Sequence, residues 1–251
     1  MTLSELYKIA DYKDSKGMLF NGDCLEYLKK MEDNSIDLII TSPPYNLGKF
    51  HHTNNHHFQA YSEYDDNMPE ELYQKWQVEI LNECYRVLKE GGSILYNHKN
   101  RIREGLQITP YEWILKTNFI VKQEIVWQNG SHNFDKIRFY PFTERIYWLA
   151  KSPKTKLNNV ISHTDVFTSS EWKPQGTEKE FKRAYPEQMV KDLISCFEES
   201  KIVLDPFSGS GTTCKVAKEM GKTFIGIELG KEYFEMSKNR LNEFITNNKG
   251  E

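Results

Sequence analysis

Thr41-Ser42-Pro43-Pro44-Tyr45 follows a run, Ser35 to Ile40, that reads as a buried strand. Two consecutive prolines can continue neither a ladder nor a helix, so the chain must turn there with a stiff backbone. The turn leaves a carbonyl between the prolines without a ladder partner, Ser42 adds a hydroxyl acceptor, and Tyr45 adds a flat face. Two acceptors beside a stacking ring suit an exocyclic amino group. A proline-stiffened turn with a buried tyrosine is the plainer reading of the same residues.

A second cluster lies near the other end. Ile202-Val203-Leu204 reads as a strand, Asp205-Pro206-Phe207-Ser208-Gly209-Ser210-Gly211 as a loop, Thr212 to Met220 as a helix, and Thr223 to Ile227 as a strand ending in Glu228. This is a nucleotide-type βαβ unit. Gly209 and Gly211 permit a tight turn and close backbone approach, and Glu228, 17 residues beyond Gly211, is placed to accept hydrogen bonds from two ribose hydroxyls. The third glycine of the dinucleotide pattern is absent, and Gly211 is followed by Thr212-Thr213-Cys214-Lys215 rather than directly by Lys. Pyrophosphate and triphosphate are therefore both disfavoured. An adenosine-like ligand is what remains, against the plainer alternative of a simple strand-to-helix turn.

The elements between these clusters must hold them together. Asn67-Met68-Pro69 opens an amphipathic helix through Leu72, Trp76, Ile80, Cys84 and Leu88, closed by Gly91-Gly92 after Lys89, and Ser93 to Tyr96 is strand-like. Phe119 to Trp127 and Arg145 to Ala150 are further strands, and Pro186 to Glu199 is helical. Alternating strands and helices favour an α/β sheet with its ligand at the strands' carboxyl ends. Periodicity fades at about 152–182, which reads as an insertion in a single domain spanning 1–251.

The 251 residues are 38% hydrophobic and 27% charged, with 14 Gly and 9 Pro, which is a globular rather than a disordered or fibrous composition. No stretch approaches the roughly 18 apolar residues of a membrane span. Met1 to Ala10 lacks a signal-peptide apolar region, so a cytoplasmic protein without a membrane partner is expected. Cys24, Cys84, Cys196 and Cys214 are far apart with no C-x-x-C pair, which argues against structural zinc and against a disulfide framework. The net charge of -3 is unevenly spread: Lys99 to Arg183 holds 15 Lys and Arg against 9 Asp and Glu, while the remainder holds 18 against 27. That asymmetry suits one face meeting a polyanion, and equally a solvated surface.

At its two clusters the chain resembles the amino-group DNA methyltransferases, which use S-adenosylmethionine to methylate adenine N6 or cytosine N4. Ser42 to Tyr45 matches that family's catalytic Asp/Ser/Asn-Pro-Pro-Tyr motif, and Asp205 to Thr212 its cofactor loop, Asp-Pro-Phe-x-Gly-x-Gly-Thr. The catalytic motif precedes the cofactor motif, as in the permuted beta group. Asn21-Gly22-Asp23-Cys24 resembles the segment whose Asp contacts the cofactor's adenine, and Ala184-Tyr185-Pro186-Glu187-Gln188-Met189 the segment ahead of the glycine loop. Arg86-Val87-Leu88-Lys89-Glu90-Gly91-Gly92 is similar to the end of the family's post-catalytic helix, so the resemblance runs from about Leu19 to about Leu241.

The resemblance implies a Rossmann-like α/β methyltransferase fold with a mainly parallel sheet and circularly permuted motif order. It implies catalytic roles for Ser42, Pro43, Pro44 and Tyr45, and cofactor contacts from Asp23, Cys24, Tyr185, Pro186, Asp205, Pro206, Phe207, Gly209, Gly211, Thr212 and Glu228. Acceptors at Ser42 Oγ and the Pro43 carbonyl would draw the amine's hydrogens and favour its tetrahedral, nucleophilic form. The base would leave the duplex and stack on the ring of Tyr45. Methylation of cytosine C5 would need a cysteine that in the corresponding family follows a proline, and none of the four does.

Lys99, Arg101 and Arg103 follow a strand and are candidate phosphate contacts on double-stranded DNA, with a solvated loop as the alternative. Residues Gly48 to Asp66 read as a mobile loop that closes Phe50, Phe58, Tyr61 and Tyr64 over the target base. Its His51-His52-Thr53-Asn54-Asn55-His56-His57 cluster lacks a completing carboxylate or Cys, so no metal is expected. Ser42 and the Tyr185-Pro186-Glu187 form are associated more with cytosine N4, whereas Asn46 after Tyr45 resembles the adenine N6 form. Site-specific adenine N6 methylation is the reading adopted, with cytosine N4 as the alternative. RNA or protein-glutamine methylation, typically with Asn at the first motif position, is set behind by Ser42, and a silent nucleic-acid-binding module by the intact motifs. A cognate restriction endonuclease and a homodimer are left open as partners.

Overall fold

The computed structural model of the chain describes residues 1–47, 66–129, 137–139, 141–159, 164–172 and 184–247. In chain order the elements are α1 (Leu3–Ile9), β1 (Tyr12–Asp14), β2 (Gly17–Asn21), α2 (Cys24–Lys30), β3 (Ile36–Thr41), α3 (Glu70–Val87), β4 (Leu88–His98), β5 (Arg101–Arg103) and β6 (Leu106–Ile108). They continue with α4 (Tyr111–Ile114), β7 (Ile120–Trp127), β8 (Glu144–Ala150), β9 (Val166–Phe167), α5 (Glu187–Cys196), β10 (Ile202–Asp205), α6 (Thr212–Glu219), β11 (Thr223–Glu228) and α7 (Lys231–Asn247).

The main sheet runs β1-β2-β11-β10-β3-β4-β8-β7-β9. Strands β2, β11, β10, β3 and β4 are parallel, β1 joins β2 antiparallel, and β8 lies antiparallel between β4 and β7. The parallel centre is apolar on both faces, as a sheet covered on both sides requires. Neighbouring residues of one strand enter opposite layers. Phe20 and Ile39 pack with α1 to α4, whereas Leu19, Leu38 and Ile40 pack with α5, α6 and α7.

Chain direction across this sheet locates the site. From β3 the chain passes through α3 to β4 on one side, and from β10 through α6 to β11 on the other, while β3 and β10 are themselves neighbours. Strand order therefore reverses between them, and the crevice outside their carboxyl ends is where an open α/β sheet binds its ligand. The residues at those ends are Thr41 and Asp205.

Helix α3 departs from its sequence reading. It ends at Val87, and Leu88 to Gly92 already belongs to β4, because Leu88 pairs with Ile36 and Ser35 N–H bonds the Val87 carbonyl at 2.8 Å. Sheet pairing wins over helix propagation there. Its buried face is Tyr73, Gln77, Ile80, Leu81, Cys84 and Val87, and Leu72 is 53% exposed. At 3.6 residues per turn, a row spaced strictly by four rotates about 40° per step, so it cannot track one face over four turns. Within the described part of the 152–182 stretch, Trp172 is buried, stacks on Phe167 at 3.7 Å and donates to Asp192 at 2.8 Å. The His51 to His57 cluster and the aromatics Phe50, Phe58, Tyr61 and Tyr64 lie outside the described residues. Among the described residues no helix is long and apolar enough to cross a membrane.

Candidate functional site

One buried hydrogen bond joins the two sequence clusters. Thr41 Oγ1, at the end of β3, donates to Asp205 Oδ1, at the end of β10, at 2.7 Å. Asp205 is buried and also accepts from Phe207 N–H and the Tyr185 hydroxyl, both at 3.1 Å. Burial pushes its carboxyl above the usual value while these donors pull it down. Asp205 thus spends its oxygens on protein donors and sets the position of the turn after β3, of Tyr185 and of the glycine loop.

The Pro-Pro turn is held from behind. The Tyr73 hydroxyl, on α3, donates to the Pro44 carbonyl at 2.8 Å and lies 2.8 Å from His98 Nε2. Burial and the nearby Arg101 cation hold His98 well below the ordinary histidine value, so it is neutral near pH 7. Among the described residues the Pro43 carbonyl accepts no hydrogen bond, which leaves it to a ligand. Asn46, with φ +55°, clasps the chain after the turn: its amide donates to the Met68 carbonyl at 3.0 Å and accepts Met68 N–H at 2.7 Å. It is 3% exposed, so it anchors the chain and does not face a base.

The Tyr45 hydroxyl lies 2.8 Å from Ser42 Oγ, 3.0 Å from Glu144 Oε2 and 3.0 Å from Asn97 Nδ2. Counting protons settles the directions. With Glu144 ionised, its carboxylate only accepts and the Asn97 amide nitrogen only donates, so the single Tyr45 proton goes to Glu144 while Asn97 donates to the Tyr45 oxygen. Ser42 must then donate to Tyr45 as well, which turns its lone pairs away from Tyr45. Among the described residues Ser42 Oγ has no other partner. Asn97 also donates to Glu144 Oε2 at 3.0 Å, and Asn129 to Oε1 at 2.8 Å. Burial raises the Glu144 carboxyl above its usual value against the pull of Lys99, and burial with the Glu144 charge raises the Tyr45 phenol, so Tyr45 stays protonated. The sequence pointed to the ring of Tyr45; the hydroxyl is equally engaged.

The glycine loop closes on Glu228. Gly209 N–H donates to Glu228 Oε2 and Gly230 N–H to Oε1, each at 2.8 Å. A carboxylate at the end of β11, beside a glycine loop with open space, is a candidate acceptor for vicinal hydroxyls. Gly209 has φ +51° and the nearest atom to a Cβ placed there is 4.0 Å away, which leaves open space beside the loop. Gly211 serves packing: with φ +83°, a Cβ there would lie 2.2 Å from Ser237 Oγ on α7. The close helix-to-strand approach that a third glycine gives dinucleotide sites comes here from Gly226 on β11, where a Cβ would lie 2.6 Å from Cys214 Sγ on α6. Ser208 Oγ is buried in the loop with no hydrogen-bond partner among the described residues, a donor and acceptor still available to a ligand. Asn21 pairs with Glu228 in the sheet and Gly22 N–H bonds the Glu228 carbonyl at 2.9 Å, which brings the Asp23 segment beside the same carboxylate. These features fit an adenosine.

Other expected residues sit differently. Asp23 caps α2 by accepting Glu26 N–H at 3.2 Å, and the Cys24 side chain is in the core. The Thr212 hydroxyl accepts from Arg240 at 3.2 Å, Pro206 and Pro186 are buried, and half-buried Phe207 meets Trp76 edge-on at 5.7 Å. Arg101 is not available to a phosphate. It is 5% exposed, paired through both terminal nitrogens with Glu70 at 2.7 and 2.9 Å, and lies over the ring of Tyr73. Half-buried Lys99 sits over the Tyr45 ring at 5.9 Å and is pulled down by burial, against Glu144 and Asp66. Arg103 is half-exposed beside Glu70 and the Met68 carbonyl.

Glu144, Asn97, Asn129 and Tyr73 carry no local sequence signal and were missed, and Thr41, though part of the Pro-Pro cluster, had no role read for it. So was Arg240, which from α7 donates to the Ser210 carbonyl at 3.0 Å and to Glu187 at 2.8 Å, fixing the glycine loop.

Comparison with known proteins agrees with this geometry. The DNA methylase family matches residues 36–239. The chain is 30% identical over 260 residues to the type II methyltransferase M.BglII of Bacillus subtilis, covering 90% of this chain and 69% of that protein. Identity is 32% with the type II methyltransferase M.HinfI of Haemophilus influenzae, over 93% of this chain and 70% of the relative. With M.HpaI of Haemophilus parainfluenzae it is 34%, over 89% and 73%. Among solved structures, the cytosine-N4-specific PvuII DNA methyltransferase superimposes with a TM-score of 0.71 at 22% identity, covering 94% of this chain and 92% of that one. The M1.HpyAVI–SAM complex does so with a TM-score of 0.60 at 22% identity, covering 89% and 98%. The chain therefore belongs to the amino-group DNA methylases, S-adenosylmethionine-dependent enzymes of Rossmann-like α/β fold that methylate adenine N6 or cytosine N4.

Proposed function

We propose that the protein methylates the exocyclic N6 of an adenine within a short recognition sequence of duplex DNA, after the base has been extruded into the crevice between the ends of β3 and β10. The observation that carries this reading is the pair of acceptors at the Pro-Pro turn. Ser42 Oγ lies 2.8 Å from the Tyr45 hydroxyl, to which it donates when Glu144 is ionised, and the Pro43 carbonyl has no partner among the described residues. Together they can accept both hydrogens of one amine, which withdraws its lone pair from the ring and directs it at an electrophile.

When bound, S-adenosylmethionine supplies an activated methyl group. Glu228 would hold its ribose hydroxyls, the open side of Gly209 would admit its backbone-facing edge, and the segment from Asn21 to Asp23 would flank its adenine. Thr41 and Asp205 keep that cradle and the Pro-Pro turn in register across the switch point. Extrusion suits a pocket at the strands' carboxyl ends, where the half-buried Tyr45 ring offers a platform. His98 already lies against that ring, with centroids 4.4 Å apart.

Cytosine N4 is the second reading, favoured by Ser42 and by the Tyr185-Pro186-Glu187 segment. The anchoring role of Asn46 leaves the preference for adenine resting on motif resemblance. Methylome sequencing of DNA from cells that express the protein distinguishes the two. N6-methyladenine confined to one short motif supports the adenine reading, and N4-methylcytosine at such a motif replaces it with the second. A bound restriction endonuclease and a homodimer are partners that copurification and sedimentation would reveal.

A further inference from the structure

We propose that Glu144 is the terminal acceptor of the proton released by the target amine, reached through Ser42 and Tyr45. The proposal rests on the reading of Ser42 as an amine acceptor, and it adds where the proton goes.

Methyl transfer must shed one proton. The amine nitrogen forms a bond to the methyl carbon while the sulfur–methyl bond breaks and leaves its electron pair on sulfur. The nitrogen then carries a positive charge until it loses a hydrogen. Ser42 Oγ faces that hydrogen with free lone pairs, but a serine hydroxyl cannot keep a second proton. Its own proton is already directed at Tyr45, 2.8 Å away, and the Tyr45 proton at Glu144 Oε2, 3.0 Å away. The amine proton passes to Ser42, the Ser42 proton to Tyr45, and the Tyr45 proton to Glu144. Ser42 and Tyr45 end with the proton count they began with, and Glu144 becomes a neutral acid.

Glu144 then donates to the Tyr45 oxygen, Tyr45 donates to Ser42, and Ser42 donates outward, while Asn97 still donates to Tyr45. Ser42 has changed from an acceptor to a donor facing a methylated amine whose lone pair is again delocalised into the ring. Its hold on the product weakens as the proton leaves.

The surroundings suit a group that receives a proton and later gives it up. Glu144 stands at the first position of β8 with three side-chain donors around it. Among the described residues the charged or titratable groups acting on it are Lys99, beyond the end of β4, and Tyr45; Asp66 acts in turn on Lys99. From the β7 side it meets neutral Asn129, and the adjacent Arg145 is bound to Glu124 at 2.8 Å. Burial raises its carboxyl above the usual range, which makes it a better base than an exposed glutamate.

The test uses Glu144→Gln and Tyr45→Phe, the second of which keeps the ring and cuts the relay at its middle. Single-turnover methylation is measured against pH, and extrusion is followed separately by the fluorescence of a duplex with 2-aminopurine at the target position. Wild type is expected to gain rate with pH through a midpoint above the ordinary carboxylate value. Both variants are expected to lose about 100-fold or more in rate, to lose that pH dependence, and to keep the wild-type fluorescence change. Rates within threefold of wild type with the pH dependence intact would overturn the relay. So would loss of the fluorescence change in both variants, since Glu144 and Tyr45 would then be shaping the pocket. Wild type that transfers no methyl group to a DNA amine would overturn the relay together with the reading beneath it, and the wild-type arm shows this independently of the variants.

Discussion

Glu228→Ala tests the cofactor cradle with little disturbance of the fold. The side chain is half-buried at the end of β11, and its oxygens accept Gly209 N–H and Gly230 N–H at 2.8 Å each. In the variant water can reach Gly209, while the buried Gly230 N–H loses its partner, a stability cost of about 1–2 kcal/mol. Ligand binding should suffer separately. Two hydroxyls bonded to one carboxylate contribute roughly 1.5–3 kcal/mol. At about 1.4 kcal/mol per decade this predicts a Kd for S-adenosylmethionine weakened roughly 10- to 140-fold. Isothermal titration calorimetry reads the affinity, and the melting temperature confirms that the variant is folded. Glu228→Gln should fall between, because its amide keeps an acceptor for one backbone N–H and opposes the other with a donor. A folded Glu228→Ala protein with the wild-type Kd would refute the ribose assignment.

Arg101→Ala should destabilise the fold by about 3 kcal/mol, since it strips Glu70 of its buried partner. The slope of DNA affinity against salt should stay as in wild type, because that slope counts phosphate contacts. Urea unfolding and fluorescence anisotropy at several salt concentrations check the two halves. His98, held below the ordinary value of 6.5, must bind a proton on unfolding, so its contribution is present above pH 6.5 and is lost as pH falls toward its folded value. The loss approaches about 1.4 kcal/mol per pH unit. Unfolding between pH 7 and pH 5.5, wild type against His98→Gln, should show a steeper acid loss in wild type, and parallel curves would remove His98 from the account. Asp205→Ala leaves the buried Thr41 hydroxyl and Phe207 N–H without their acceptor and the Tyr185 hydroxyl with Thr213 alone. A loss of about 3–5 kcal/mol is expected in urea titrations, and an unchanged midpoint would contradict its role as the tie between β3 and β10.

What the sequence disclosed was local. Ser42 to Tyr45 and Gly209 to Glu228 are contiguous or lie within one βαβ unit, so residue type and spacing sufficed to mark them. Glu144 reaches Tyr45 only because β8 runs antiparallel to β4 and places its first residue near Asn97, a consequence of sheet order that no local pattern encodes. Thr41 and Asp205 are 164 positions apart and meet because β3 and β10 are neighbours. Arg101 and Lys99 look alike in sequence, yet Glu70 on α3 draws the first inside and the pocket takes the second. The helix α3 was legible as an element, with Ile80 and Cys84 buried and Trp76 packed on the core as expected, while at its start the row spaced by four drifts off the core, leaving Leu72 exposed and Tyr73 buried.

The most direct measurement is the identity of the product. Purified protein is incubated with S-adenosylmethionine carrying a labelled methyl group and with duplex DNA of mixed sequence, and the DNA is then digested to nucleosides and resolved by mass spectrometry. Label is expected on an exocyclic nitrogen, as N6-methyladenine, with all of it lost in Ser42→Ala together with Tyr45→Ala. Label in 5-methylcytosine, or label taken up from RNA or protein substrates with none in DNA, would contradict it.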